Sequence, residues 1–498
     1  MALPIKMGTD LYCKANSQVL LSYDEEEAKL YIGYTPDDGS KGKNYLAAIS
    51  AMCDGAVVPY TCTVEDDVVL LKSDAGYAKF AIGCSNDIVV DGKGIGLVIS
   101  NGKSAGIFMG GGNVVKDARG GMLFSISGVK IRAFVTVGSI DLESYWDLDA
   151  LCDPDPKVFM LPDEQGNIAA RIFADVTEVD HEVSGLSVEE AAKAMTDEFA
   201  EYCKILNYSA ETQTALRAAW ELWNAQQPPR TLFKEYLGND PVVIHGRQSG
   251  GTLHLNDGVL YALAIRDSAE AAKYMCSFLK YIKNDGLVPY EISNNIKEYY
   301  VETPLFGVLL TAREDVLGAV NEEQYEKLAL HLNWWVNNRF CTERGLFYCL
   351  HRTESRRNVA FDDMTPFFAP DVNALMALWI GAMAKIADRL GKENNWAALA
   401  DDIIANIKEK LYADGKAVCV SLGTAEKCEC VNGAAMKLVG LEGCGAEGYE
   451  AELMAVLGKT ELTLDVAKAA AAAGEGPIAD VRQAVACLLA ESILREED

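Results

Sequence analysis

The sequence predicts an N-terminal antiparallel β-sandwich followed by an (α/α)6 toroid, a multidomain β + α fold. Three observations carry this. From about Leu11 to Asp180, short apolar runs are broken by Gly, Asp and Asn, the pattern of many short strands joined by tight turns. Near Ser184 the period changes, and apolar residues then recur at helical spacing. Counting onward gives roughly twelve helical segments with short connections. Six antiparallel pairs of helices can close into a ring, and the 498 residues make more than one domain of ordinary size. The domains expected are a β-sandwich over 1–183, a linker helix over 184–208 and a barrel over 209–498.

The strands expected are Gln18–Tyr23, Leu30–Tyr34, Val68–Leu71, Ile88–Val90, Ile95–Ser100, Ile131–Thr136 and Ile168–Phe173. PDDGS, DGKG, GGGN and ARGG supply turns between them. Gly110–Gly112 is followed neither by GK[ST] nor by a helix, so it reads as a hairpin or bulge device. Ser187 with Glu190 three residues later predicts a capping box. The further helices are expected at 209–225, 254–266, 268–284, 303–314, 321–339, 371–390, 393–412, 432–440, 446–457, 462–473 and 477–494. Val372–Ile386 is almost wholly apolar and suits an inner helix, whereas Asn395–Leu411 is amphipathic and suits an outer one.

Composition narrows the partners. Half the residues are hydrophobic, enough for a sizeable core. No apolar run approaches the ~18 residues of a spanning helix. The N-terminus MALPIKMGTD lacks the pattern of a secretory leader, so the chain reads as cytoplasmic. The net charge of −28 opposes binding to phosphate backbones and anionic membranes. Nucleic acid and membrane are therefore not expected partners. The fourteen cysteines are scattered through apolar stretches, as buried thiols in a reducing compartment are. Cys428 and Cys430 form a CxC without a second pair at zinc spacing, so no metal is expected. No GxSxG, HExxH, P-loop or Rossmann fingerprint stands out, and no cofactor is expected.

Candidate chemistry lies in the loops before apolar helices. The richest stretch is Glu343–Asn373, with Asp362, Asp363, Arg352, Arg356, Arg357, Phe361, Phe367 and Phe368. Glycosidic cleavage needs one carboxylic acid for the leaving oxygen and a second carboxylate to activate water or attack. An exposed salt-bridge network would have the same composition. A second stretch is His245–Asp257 (HGRQSGGTLHLND), where Asp257 either favours a helix N-terminus or binds substrate. His254 reads as a packed polar residue. A third is DGLVPYE, with Tyr290 and Glu291, followed by Asn294 and Asn295. A fourth is AGEGPIAD, with Glu475, before the last helix. Trp220, Trp223, Trp334 and Trp335 sit at core spacing on helices.

DGLVPYEIS followed by VETPLFGVLL resembles a stretch of α/α-barrel glycoside hydrolases, and so does APDVNALMALWIGAMAKIADRLGKENNWAALADDIIANIKEKLYADG. The look is nearest to family 63, the processing α-glucosidase I-like enzymes, with trehalases, glucoamylases and family 65 phosphorylases more distant. It covers roughly residues 209–415. It implies that Asp362, in VAFDDMTPFFAPDVNA, is the general acid, with Asp363 the alternative. It implies that Asp257, in LHLND, binds substrate, although the family's preceding Trp is absent. Glu475 is the nearby candidate for the general base. Val359 and Ala360 stand where the family has Ser-Gly before the acid.

The expected function is an inverting, exo-acting α-glucosidase-like hydrolase of small oligosaccharides. Asp362 and Glu475 would be the catalytic pair, and Asp257, Arg352, Arg356, Arg357, Phe361, Tyr290 and Glu291 would bind the small carbohydrate. The alternatives are an inactive carbohydrate-binding or scaffold protein on the same fold, or an inverting sugar phosphorylase whose three arginines hold the anion. Neither the sugar, its linkage nor the oligomeric state is legible.

Overall fold

The computed structural model describes residues 2–497 except 36–42, 84–86, 104–112, 119, 150–152, 177–184, 228–241, 248–251, 294–295, 299, 351–353, 355–360, 362–364, 431–432, 444–452, 454–456, 458–462 and 475. The chain forms two compact units, Met1–Lys204 with Gly246–Gly251, and Ile205–His245 with Thr252–Asp498.

The first unit is built on two antiparallel eight-stranded sheets. One runs Tyr12–Cys13, Val19–Asp24, Lys29–Tyr34, Lys43–Cys53, Gly96–Asn101, Lys157–Leu161 and Ser139–Glu143, with Ala56–Val58 paired onto Lys43–Cys53. The other runs Asn113–Lys116, Met122–Ile126, Val129–Val137, Asn167–Asp175, Asp87–Lys93, Tyr77–Ile82, Val68–Lys72 and Thr61–Glu65. Asp66 and Asp67, at φ 51° and 65°, form the two-residue loop between Thr61–Glu65 and Val68–Lys72. Two left-handed residues in succession match the twist of a hairpin, and short polar side chains tolerate that conformation. Ser127 and Gly128 do the same between Met122–Ile126 and Val129–Val137, at φ 49° and 81°. Gly110–Gly112 lies outside the described residues.

Helix α1 (Val188–Ile205) starts on the expected capping box. The Glu190 amide donates to Ser187 Oγ at 3.2 Å, and the Ser187 amide donates to Glu190 Oε2 at 2.8 Å. Val188, Ala191 and Ala192 pack with Val68, Ala81 and Val89 of the second sheet. The small alanines let the helix lie close on β-branched strand residues.

The second unit is mainly helical: α2 (Gln213–Ala225), α3 (Leu255–Ala264), α4 (Ser268–Cys276), α5 (Phe306–Ala312), α6 (Glu314–Ala319), α7 (Glu322–Arg339), α8 (Pro370–Leu390), α9 (Trp396–Lys410), α10 (Ala434–Leu438), α11 (Thr463–Ala473) and α12 (Val481–Glu497). Every residue of α3 is buried. Fifteen of the 21 residues of α8 are buried, so both helices have neighbours around most of their circumference. In α9 only Ala400, Ile403 and Ile407 are buried, the single stripe of an outer helix. Packed neighbours follow one another as α2, α12, α3, α5, α8 and α10, with α11, α4, α7 and α9 against this run. Among the described residues this is a run of packed helices rather than a closed barrel.

Several spans differ from expectation. The helix expected at 268–284 is α4 followed by a 3-10 turn, Ser277–Tyr281. A short helix, α6, precedes α7. The long loop expected over 340–370 contributes Phe340–Cys341, Leu346–Cys349 and Phe367–Phe368 to a sheet completed by Tyr412–Ala413, Lys416–Ser421 and Lys427–Glu429. Strands of two to four residues are too short to show alternation. Most of the helix expected at 446–457 falls outside the described residues. The four tryptophans singled out are core: Trp220, Trp223, Trp334 and Trp335 are all buried. No described helix is long and apolar enough to cross a membrane.

Candidate active site

The polar residues of the second unit converge at the head of α3. An apolar helix buried throughout has to tolerate charge somewhere if it is to support a site, and α3 carries it in its first turn as Asp257. Its N-cap position, His254, makes no side-chain cap hydrogen bond, and a carboxylate is favoured close to a helix N-terminus. Asp257 has no exposed surface. Its Oδ1 accepts from Arg482 Nε at 3.2 Å, and its Oδ2 lies 3.0 Å from His245 Nδ1. Burial opposes ionisation of Asp257, but His245 and Arg482 outweigh it and hold the carboxyl well below its ordinary range. Burial likewise opposes charge on His245. The Asp257 carboxylate, aided by Asp480, overcomes both that and Arg482, and the pKa of His245 rises to about 9.

Arg482 joins two buried acids. While Nε faces Asp257, Nη2 donates to Glu302 Oε1 at 3.3 Å, and Glu302 is only 4% exposed. The planar fork of arginine suits two carboxylates from separate elements. Arg482 is the second residue of α12, and the start of that helix is fixed twice. Asp480 accepts the Gln483 amide at 2.9 Å as an N-cap, and the Val481 amide donates to the His245 carbonyl at 2.9 Å. Asp480 also lies 3.6 Å from His245 Nε2.

Asn256 positions Glu302 from the other side. Its amide donates to the Thr303 carbonyl at 3.2 Å and accepts from the Leu305 amide at 2.8 Å. Thr303 Oγ1 donates to the carbonyl of Glu354. The Glu354 carboxylate is itself buried. It receives Arg339 through Nε and Nη2, the latter at 2.9 Å, and the Leu350 amide at 2.9 Å. Thus the segment that follows Glu302 is held by a chain of hydrogen bonds that reaches the end of α7.

The remaining wall is aromatic and acidic. His254 lies against His245, ring centroids 4.7 Å apart, and meets Tyr290 edge to face at 5.3 Å. His254 Nε2 is 3.1 Å from Thr252 Oγ1 and 3.7 Å from Glu291 Oε2. Leu253–His254 pairs with Glu291–Ser293, which places Glu291 opposite His254. The turn before Tyr290 depends on Gly286, whose φ is +92°.

Asp257, Tyr290 and Glu291, expected as substrate-binding, are therefore brought together with His254, expected as a packed polar residue. Phe361 is half-buried and packs on Phe367, centroids 5.6 Å apart. Asp362, Asp363, Glu475, Arg352, Arg356 and Arg357 lie outside the described residues. Glu302, Arg482 and Asp480 were not singled out from sequence. Glu302 stood in the family-like segment VETPLFGVLL, and Asp480 closed the loop that carries Glu475. A helix-capping signature at Asp480 with an arginine two residues on was the available signal.

The sequence matches no family model and no curated protein. Among solved structures, a bacterial glucoamylase complexed with acarbose aligns over 97% of this chain and 94% of that one, with TM-score 0.58 and 9% identity. A family GH92 inverting mannosidase from Bacteroides thetaiotaomicron aligns over 90% of this chain and 70% of that one, with TM-score 0.54 and 10% identity. A GH63 mannosylglycerate hydrolase from Thermus thermophilus covers 55% of this chain and 99% of its own, with TM-score 0.41 and 11% identity. The fold is thus antiparallel β-sheets followed by a helical domain, in the manner of the α/α-barrel glycoside hydrolases that the sequence resembles.

Proposed function

We propose that the chain is a glycoside hydrolase of inverting, exo-acting, α-glucosidase-like type, acting on small oligosaccharides. The observation that supports this most is the cluster at the head of α3, where two buried carboxylates, Asp257 and Glu302, are locked by Arg482. The fold likeness to a glucoamylase over nearly the whole chain supports the same reading.

In this proposal Asp257 does not touch the sugar. It is fully buried and fixes His245 and Arg482 in place beside Tyr290 and Glu291. Tyr290 supplies an aromatic edge, and Glu291 an acceptor for sugar hydroxyls. Asp362 protonates the leaving oxygen and Glu475 activates water on the opposite face of the ring. Inversion requires those two carboxyl groups about 6.5–9.5 Å apart.

Turnover of a panel of glucosyl and mannosyl disaccharides, with and without inorganic phosphate, tests the reading. Hydrolysis independent of phosphate, with the anomer inverted by NMR, is the expected result. Cleavage only with phosphate would make the chain a phosphorylase. No cleavage, with a melting temperature raised by sugar, would make it a binding protein.

A further inference from the structure

We propose that His245, His254 and Asp257 form a binding site for one divalent transition-metal ion of the zinc type. One donor atom from each of the three lies within 4.8 Å of the others. Donors that share an ion at about 2.0–2.1 Å stand roughly 3–3.5 Å apart. His245 Nδ1 and Asp257 Oδ2, at 3.0 Å, are already at that spacing. His254 joins them by a small movement of its ring, which lies 4.7 Å from that of His245. Two imidazoles and one carboxylate are a donor set for zinc and its neighbours rather than for magnesium or calcium, which take oxygen.

The surroundings have the arrangement that orients metal ligands. A metal-bound histidine characteristically offers its other ring nitrogen to a carboxylate or similar acceptor. Nε2 of His254 has such a partner in Thr252 Oγ1 at 3.1 Å, with Glu291 at the ion-pair distance of 3.7 Å, and Nε2 of His245 has Asp480 at the ion-pair distance of 3.6 Å. The ion would therefore take Nδ1 of each ring. His245 Nδ1 straddles both oxygens of Asp257, at 3.1 and 3.0 Å, and Arg482 Nε takes Oδ1, which leaves Oδ2 the oxygen without an arginine on it. Charge is compatible too: Asp257, Glu302, Asp480 and Glu291 bring four carboxylates against the guanidinium of Arg482 and the His245 imidazolium, and a dication that displaces the His245 proton still reduces the excess. Three protein ligands leave a coordination position for water or a hydroxyl.

The site shares Asp257, His245 and Glu291 with the proposed sugar site, but its test is independent of hydrolysis, because the readout is metal binding. Protein stripped with EDTA and titrated with Zn2+ in a calorimeter takes up one ion per chain, and Ca2+ does not compete. His254→Gln, which removes a ligand, abolishes that uptake. Glu291→Gln, which removes only an outer partner, weakens it by about 10–100-fold. Because the chain also has fourteen cysteines, Co2+ is the second probe. Its bound form shows ligand-field bands without thiolate charge-transfer absorption. Absence of Zn2+ uptake, unchanged uptake by a folded His254→Gln, or thiolate bands in the cobalt spectrum would each overturn the proposal. Should His254→Gln fail to fold by circular dichroism, Glu291→Gln decides, since the half-buried Glu291 tolerates replacement.

Discussion

Arg482→Ala is the most informative single change. Arg482 is the guanidinium between Asp257, which has no exposed surface, and Glu302, which is 4% exposed. Its removal leaves both acids buried while taking away their shared partner. Breaking a buried ion pair from one side costs about 3–5 kcal/mol, because the remaining charge is uncompensated. His245 still faces Asp257 at 3.0 Å, so the loss falls mainly on Glu302 and belongs in the lower half of that range. Urea unfolding, followed by tryptophan fluorescence and circular dichroism, measures it. Arg482→Lys recovers little, since a single ammonium cannot repeat the forked contact to two carboxylates. Glu302→Gln placed in the Arg482→Ala background restores part of the stability, giving a coupling of at least about 1 kcal/mol in the double-mutant cycle. A loss below about 1 kcal/mol for Arg482→Ala, or strictly additive single changes, would refute the reasoning.

Two further predictions concern the second unit alone. His331 is buried against the Gly286 carbonyl (Nδ1 at 2.9 Å), Phe306 and Trp379, and burial lowers its pKa from 6.5 to about 4. The unfolded chain binds this proton first, so the contribution is complete above about pH 6.5 and disappears as the pH falls toward 4. The loss amounts to about 3 kcal/mol, read as the difference in pH dependence of unfolding between wild type and His331→Gln. An identical pH dependence would contradict the assignment. Gly286→Ala places a Cβ 2.2 Å from the Leu330 carbonyl at a φ of +92°, so it should destabilise by at least about 2 kcal/mol in the same assay. A neutral result would mean that the turn adapts.

What was legible in the sequence follows from length and periodicity. The strand runs Val68–Leu71 and Ile168–Phe173 lie within observed strands, and Val372–Ile386 lies within α8, because each is long enough for its buried pattern to show. The capping box at Ser187 could be read because it is local. The short strands around Phe340–Cys349 could not, since two to four residues carry no period. The cluster was half legible. His245–Asp257 and DGLVPYE drew attention as polar loops beside apolar helices, and α3 and the pairing of His254 with Glu291 bring them together. Arg482 and Glu302 escaped, because a charged residue beside a cap or before an apolar helix is ordinary until tertiary structure turns it inward. Asp257 also illustrates the limit of motif reading. Its place at a helix start was evident, but only the fold shows it buried behind His245 and Arg482.

The central claim is that this fold supports sugar cleavage with Asp362 as the general acid, and one measurement tests it most directly. Turnover by Asp362→Asn is compared with wild type on the best disaccharide of the panel. The account predicts wild-type hydrolysis and a fall of about 10²–10⁴-fold in the variant, with sugar still raising the melting temperature of both. Equal rates for the two proteins, or no wild-type turnover of any glucosyl or mannosyl substrate, would contradict it.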